Sequence, residues 1–135
     1  MVGDYVMTQD DCLHKRRPPD PIAKGAFGMD SHVVQYFVNE RGHVRRDGTI
    51  WQTPPKPYGI AYRSIVPRRG ECENLLVPVC LSASHVAHGS IRMEPVFMAL
   101  GQAAATAAAV GLDRSTSVQD VDIKELQRLL REQGP

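Results

Sequence analysis

The sequence predicts an α/β chain of mixed strands ending in two helices: a long, buried, Ala-rich helix over about 94–110 and an amphipathic one over about 118–132. Three observations carry this. Residues 97–110 are mostly Ala with Leu, Met and Gln, all strong helix formers, and nothing charged occurs from 96 to 110. Upstream, short β-prone runs alternate with Gly, Pro and Asp-Gly turn signals. Between the two regions, a leucine and valine segment at 75–81 reads as a strand feeding a polar, two-histidine loop. That loop opens into the Ala-rich helix, the order in which open α/β sheets present ligands.

A chain of 135 residues is enough for one domain with a modest core. Hydrophobic residues at 42% and charged residues at 23% are ordinary for a globular protein. A net charge of +1 gives no general reason to expect nucleic acid or membrane as partner. The basic clusters Lys15-Arg16-Arg17, Arg45-Arg46 and Arg68-Arg69 are short and scattered and read as solvated surface. Cys12, Cys72 and Cys80 are odd in number and form no C-x-x-C, so neither a disulfide framework nor a zinc ribbon is supported. Cys80 reads as a buried structural thiol. Residues 1–7 contain Asp4 and no apolar stretch of signal-peptide type.

In chain order, residues 8–17 carry a helix-entry pattern. Thr8 with Asp11 resembles a capping arrangement, acidic Asp10 and Asp11 precede basic 15–17, and Pro18 and Pro19 stop the helix. Asp30 and His32 fall on one side of an extended segment that continues into the β-prone 33–38. An Asp that orients a His is a general-base arrangement, but neighbours two apart rarely serve each other so, and a structural hydrogen-bonding role is preferred. Asp47-Gly48 is a turn signal that would pair 44–46 with 49–51 as a hairpin. Pro54, Pro55 and Pro57 then force an irregular connection, and Trp51 either walls a cavity or anchors a loop. Alternation over 58–65 predicts a strand with Tyr58 and Tyr62 on one face.

Pro95 suits a first helical position, where its missing N–H has no intrahelical partner anyway. A helix apolar all round is normally buried. Its apolar run, interrupted by Gln102 and Thr106, falls short of the roughly 18 residues of a membrane span. Gly111 is placed for a C-cap. In the terminal helix Val121, Leu126, Leu129 and Leu130 form the apolar stripe.

The start of the Ala-rich helix carries the functional reading. Its first N–H groups and its dipole favour an anion, or an atom that becomes negative during a reaction. Ser82, Ser84, His85, His88, Ser90 and Arg92 supply hydroxyls, imidazoles and a guanidinium at the same mouth. No third ligand at recognisable spacing accompanies His85 and His88, which argues against a metal site. Either imidazole is instead a candidate general base or a hydrogen-bonded loop histidine.

Three stretches carry a resemblance: residues 57–67 (PYGIAYRSIVP), 73–95 (ENLLVPVCLSASHVAHGSIRMEP) and 98–108 (MALGQAAATAA). In this order they resemble the C-terminal portion of the FAD-dependent oxidoreductase family related to glutathione-reductase-type flavoproteins. The chain departs from the family pattern at Val77-Pro78-Val79, where Gly-Arg is expected before the Cys-x-Ser, and at Ala103-Ala104-Ala105, where Ala-Ala-Gly is common. No G-x-G-x-x-G occurs anywhere, so the ADP-binding βαβ fingerprint is missing.

The resemblance implies a C-terminal fragment of a two-domain FAD-binding fold. Residues 1–70 would form a substrate-domain-like and connecting segment, and 71–135 the flavin-proximal strand, loop and helices. It implies FAD as cofactor and hydride transfer to flavin from an unidentified small-molecule substrate, with a hydroxylated compound as the candidate. It places His85, His88 and Arg92 as catalytic candidates and Ser82, Ser84, Gly89, Ser90, Ile91, Arg92, Met93, Pro95 and Val96 against the cofactor. The backbone of 93–97 would stabilise negative charge on the flavin, and Arg92 either positions the loop or pairs with Glu94. Tyr62, Arg63 and Ser64 are candidates to line the active site, with Arg63 either binding an anionic substrate or pairing with a carboxylate. The alternative is a truncated or split-gene piece, inactive alone, that works through self-association or a partner chain supplying the missing N-terminal half.

Overall fold

A computed structural model describes residues 1–134 as a mixed α and β chain. Its first helix, α1 (Gln9–Cys12), opens as the sequence predicts, with the Thr8 N–H donating to the Asp11 carboxylate at 2.8 Å. It stops well before the prolines. His14 takes a left-handed backbone (φ 60°), and the next N–H groups, of Lys15 and Arg16, fold back to the Asp10 carbonyl. Cys12, the last residue of α1, is buried, which pushes its thiol up to about 11, whereas Cys80 is exposed and corrects the expectation of a buried thiol there.

Six strands form three antiparallel pairs among the described residues. β1 (Pro21–Gly25) pairs with β6 (Tyr58–Ala61), β2 (Met29–Ser31) with β5 (Ile50–Gln52), and β3 (Gln35–Val38) with β4 (Val44–Asp47). The hairpin therefore turns at residues 39–43, not at Asp47-Gly48. The Asn39 side chain accepts the N–H groups of Arg41 and His43, and Gly42 takes a positive φ of 77°. This local cap out-competes the Asp-Gly signal, and residues 50–52 return to β2 instead. Trp51 stands exposed, edge-on to Phe27 with ring centroids 6.1 Å apart.

The predicted strand at 75–81 does not form. Pro78 removes a ladder donor, and in place of a ladder the Val77 and Ser82 N–H groups make single bonds to the Ile65 and Ser64 carbonyls, with an isolated parallel bridge between Met7 and Ala83 just beyond. The residues read as a polar loop contain helix α2 (His85–Ile91), entered through Ser84, whose hydroxyl accepts the Ala87 N–H. Gly89 and Ser90 are weak helix formers, so burial of Ala87 and Ile91 in the core sustains it.

Helix α3 (Glu94–Arg114) runs four residues past the predicted end. Pro95 occupies its second position, Gly111 lies buried inside it, and Ser115 in the left-handed region (φ 51°) caps it. Over its 21 residues, at mean hydropathy 1.5, α3 is long and apolar enough by composition to cross a membrane. In this fold Leu100, Ala103, Ala107 and Val110 pack inward, against a neighbourhood of β1 and α4. The opposite side is not covered, which corrects the expectation of burial all round: Met98 is 75% and Leu112 81% exposed. The terminal amphipathic segment is broken in two. A 3-10 turn at Val118–Asp120 precedes α4 (Ile123–Gln133), whose cap Asp122 accepts the Lys124 and Glu125 N–H groups.

One core joins these pieces: Met7, Met29, Ile60, Ile65, Ile91, Leu100 and Leu126 are fully buried together. A side chain such as Leu100 contributes about 1.5–3 kcal/mol by that burial. The two tyrosines meet it with their hydroxyls satisfied. Tyr58 bonds Ser90 and Tyr62 donates to the Val118 carbonyl, each at 2.7 Å, and burial pushes both phenols above their ordinary value.

Candidate functional site

Helix periodicity puts residues three and four apart on one face, and α2 uses it for His85, His88 and the capping residue Arg92. These three line a cleft of about 440 Å³ whose opposite wall is Asp30, Ser31 and His32. The strand and helix meet at contact distance. A Cβ on Gly89 would lie 2.5 Å from the Asp30 carbonyl oxygen, so only glycine permits this approach.

Across that contact the polar groups find one another. Ser31 Oγ and His85 Nε2 lie 2.9 Å apart, with Ser31 buried and His85 exposed. The Asp30 carboxylate reaches His32 Nε2 at 3.1 Å and an Arg92 terminal nitrogen at 3.4 Å. The hydrogen-bonding role preferred for Asp30 and His32 is thus met, because His32 lies just past the end of β2, where its ring can turn back. Arg92 pairs with Asp30 and not with Glu94, and its Nε donates to the Gly89 carbonyl at 3.4 Å. His88 is half-buried, its ring 6.3 Å from that of Phe97.

Other residues expected at the site sit elsewhere. Ser84 caps α2, and Ser82 is buried and accepts the Gly3 N–H at 3.0 Å. Ser90 is buried in a relay in which the Tyr58 hydroxyl donates to Ser90 and Ser90 donates to the Phe27 carbonyl. Ile91 and Val96 are buried, Met93 is half-buried and Pro95 exposed. The Val96 and Phe97 N–H groups both bond the Met93 carbonyl, and Pro95 has no N–H. Of the backbone expected to face an anion, the Glu94 N–H and the helix dipole remain. Tyr62 and Ser64 are buried with internal hydrogen bonds, and Arg63 is held by Asp20 through its backbone N–H at 3.0 Å and Nε at 3.1 Å.

Sequence reasoning gave Asp30 and His32 a structural role and overlooked Ser31 as a partner of His85. The Asp-x-His spacing was the available signal, but what makes it part of a site is its packing on a helix 54 residues away. A larger cavity of about 870 Å³ lies between β1, α3 and α4, with Lys24 and Arg131 among largely apolar walls. Its lining holds no histidine or carboxylate, and so no side chain of the usual general-base types.

A flavin ring presents hydrogen-bond acceptors along its pyrimidine edge, and the guanidinium and imidazoles of α2 are a donor set of that kind. The cleft is of a size for one ring system or small substrate. For the diphosphate of a dinucleotide there is no counterpart: no two glycines stand two residues apart in the sequence. No curated protein and no solved structure matches the chain. A family model described as FAD dependent oxidoreductase matches residues 1–130. With nearly its whole length matched, the chain belongs to the FAD-dependent oxidoreductase family, and its cofactor is FAD.

Proposed function

We propose that this chain supplies the flavin-proximal substrate cleft of an oxidoreductase that removes a hydride from a small hydroxylated molecule. The observation that carries the reading is the convergence of His85, His88 and Arg92 on one face of α2 with Asp30, Ser31 and His32 opposite. Bound FAD supplies the two-electron acceptor. The chain's residues do the rest: His85 takes the hydroxyl proton as the carbonyl forms, and Arg92 orients the acceptor edge or the substrate oxygen. His88, backed by Phe97, closes the cleft floor. Donors fixed before the reaction need little reorganisation when charge develops.

The test is an absorption spectrum of the purified full chain after incubation with FAD and removal of free flavin. Retained flavin absorbance is expected, with Arg92→Ala weakening the flavin dissociation constant about tenfold, or roughly 1.4 kcal/mol. A chain that retains no flavin and leaves flavin fluorescence unchanged argues against self-sufficient binding.

A second reading has its own observation. Met98 and Leu112 on α3 and Tyr36, Val38 and Val44 on the β3–β4 hairpin expose large apolar side chains. Such surface suits association with another copy or with an ADP-binding unit that the described residues do not contain. On this reading the chain is a truncated or split piece, colourless alone, that becomes a flavoprotein only when co-expressed with a chain carrying the ADP-binding motif.

A further inference from the structure

We propose that the cavity between β1, α3 and α4 binds a small amphipathic carboxylate, at a site separate from the histidine cleft. Nothing in this site depends on the function proposed above.

The cavity is built from one strand and two helix faces. Pro21, Ile22 and Ala23 of β1 give an apolar floor, and Ala99 of α3 and Leu130 of α4 give apolar walls. At about 870 Å³, with a lining that is mostly apolar and carries a few polar groups, it has the size and character of a small-molecule site.

What selects the ligand is which polar groups are left over. Four polar side chains line the cavity: Lys24, Gln102, Gln127 and Arg131. Both amides are committed to the fold. Gln127 donates to the Pro21 carbonyl at 2.9 Å, and Gln102 donates to the Gln133 side chain at 3.1 Å and to the Gly134 carbonyl at 3.4 Å. The two cations are not so committed. Neither makes an ion pair among the described residues, and no carboxylate lines the cavity. Lys24 stands opposite Gly59 in the β1–β6 ladder, so no cross-strand side chain is there to meet it. Apolar walls whose uncommitted charges are both positive complement a single anionic group on an apolar body. A carboxylate meets Lys24 and Arg131 by charge-assisted hydrogen bonds, and its alkyl or aryl part covers Ile22, Ala99 and Leu130. Arg131 lies in the last turn of α4, where part of its charge offsets the helix dipole, which makes Lys24 the stronger contact.

The probes are hexanoate, heptanoate and octanoate, with octan-1-ol and octylamine as uncharged and cationic controls. Each is titrated into the full chain and followed by amide proton–nitrogen NMR. Octanoate should shift the amides of Lys24, Ala99 and Leu130 and leave those of His85 and Arg92 in place. Each added methylene should tighten binding about fourfold as it enters the apolar walls. Lys24 and Arg131 are exposed, so their replacement leaves the core intact. Lys24→Gln should weaken octanoate about fourfold and Arg131→Gln about twofold. Octan-1-ol or octylamine binding as tightly as octanoate overturns the proposal, as does an affinity unchanged in the double variant. A cavity that takes no octanoate, whether open or covered by a second copy of the chain, overturns it as well. FAD displacing octanoate from these amides would give the cavity to the cofactor and overturn it, whereas a chain that holds octanoate here and binds no flavin overturns only the functional reading.

Discussion

The Asp11–Arg16 and Asp20–Arg63 pairs use the same two residue types as Asp30–Arg92, yet they differ in what is left over once the pair is made. The Asp11 carboxylate is fully buried and takes the Tyr5 hydroxyl at 2.6 Å, the Thr8 N–H at 2.8 Å and Arg16 at 2.6 and 2.9 Å. Asp20, 8% exposed, takes both the backbone and the side chain of Arg63. Asp30 is 21% exposed and holds His32 and Arg92 at 3.1 and 3.4 Å, the longer of these near the limit of a hydrogen bond. In the closed pairs the carboxylate is buried and spent on the fold. At the cleft the carboxylate is partly solvated and its bonds are longer, so a ligand can compete for its partners.

The largest way to break the contrast is to force the cleft apart. Gly89→Val places a side chain against the backbone carbonyl of Asp30, which cannot swing aside as a flexible side chain would. We expect a loss of about 3 kcal/mol, the upper end of overpacking penalties, seen as a urea midpoint lowered by about 1–3 M. The His85 and His32 ring signals should move together, since both depend on β2 lying against α2. A variant of unchanged stability would mean that the contact does not hold the site.

The closed pairs come next. Burial alone would raise the Asp11 carboxyl, but hydrogen bonds from Arg16, Tyr5 and the Thr8 N–H outweigh it and hold it below its ordinary value of 3.8. A carboxyl depressed in the folded state contributes stability that is fully present above its unfolded value and lost as pH falls through the folded one. Asp11→Asn should cost about 1–3 kcal/mol at neutral pH and flatten the loss of stability below pH 3.8. Equal acid limbs in wild type and variant would show that the pair is not closed.

The same contrast explains what could be read from the chain alone. Thr8 with Asp11 and the Ala-rich helix are set by residues within a few positions of one another, and spacing reveals them, whereas the common face of His85, His88 and Arg92 exists only because a segment read as loop is helical. The β3–β4 turn was misjudged because two good turn signals compete and Asn39 satisfies more N–H groups. The 75–81 segment has strand composition but no partner strand, and α2 has loop composition but a core to pack on. Both depend on contacts that local propensity does not encode. The second wall of the cleft belongs to the same class: nothing near Asp30 or Ser31 in sequence announces a helix arriving from residue 85.

The smallest expected effect on stability is the sharpest test of the comparison. Asp30→Asn keeps the shape of the side chain and removes the charge that gathers His32, largely in solvent, and Arg92, partly so. Because exposed pairs are worth little, stability should fall by less than about 1 kcal/mol. The cleft should nevertheless respond. With its carboxylate gone, Arg92 loses the partner that aims it, and we expect the flavin dissociation constant to rise about fivefold, near 1 kcal/mol. The guanidinium Nε–H signal of Arg92 should lose its fixed position. If Asp30→Asn instead costs as much stability as Asp11→Asn and leaves flavin affinity alone, Asp30–Arg92 is a third structural clasp. The proposed cleft would then have lost the group that organises its outer wall, because a carboxylate committed to the fold cannot also hold Arg92 available to a ligand.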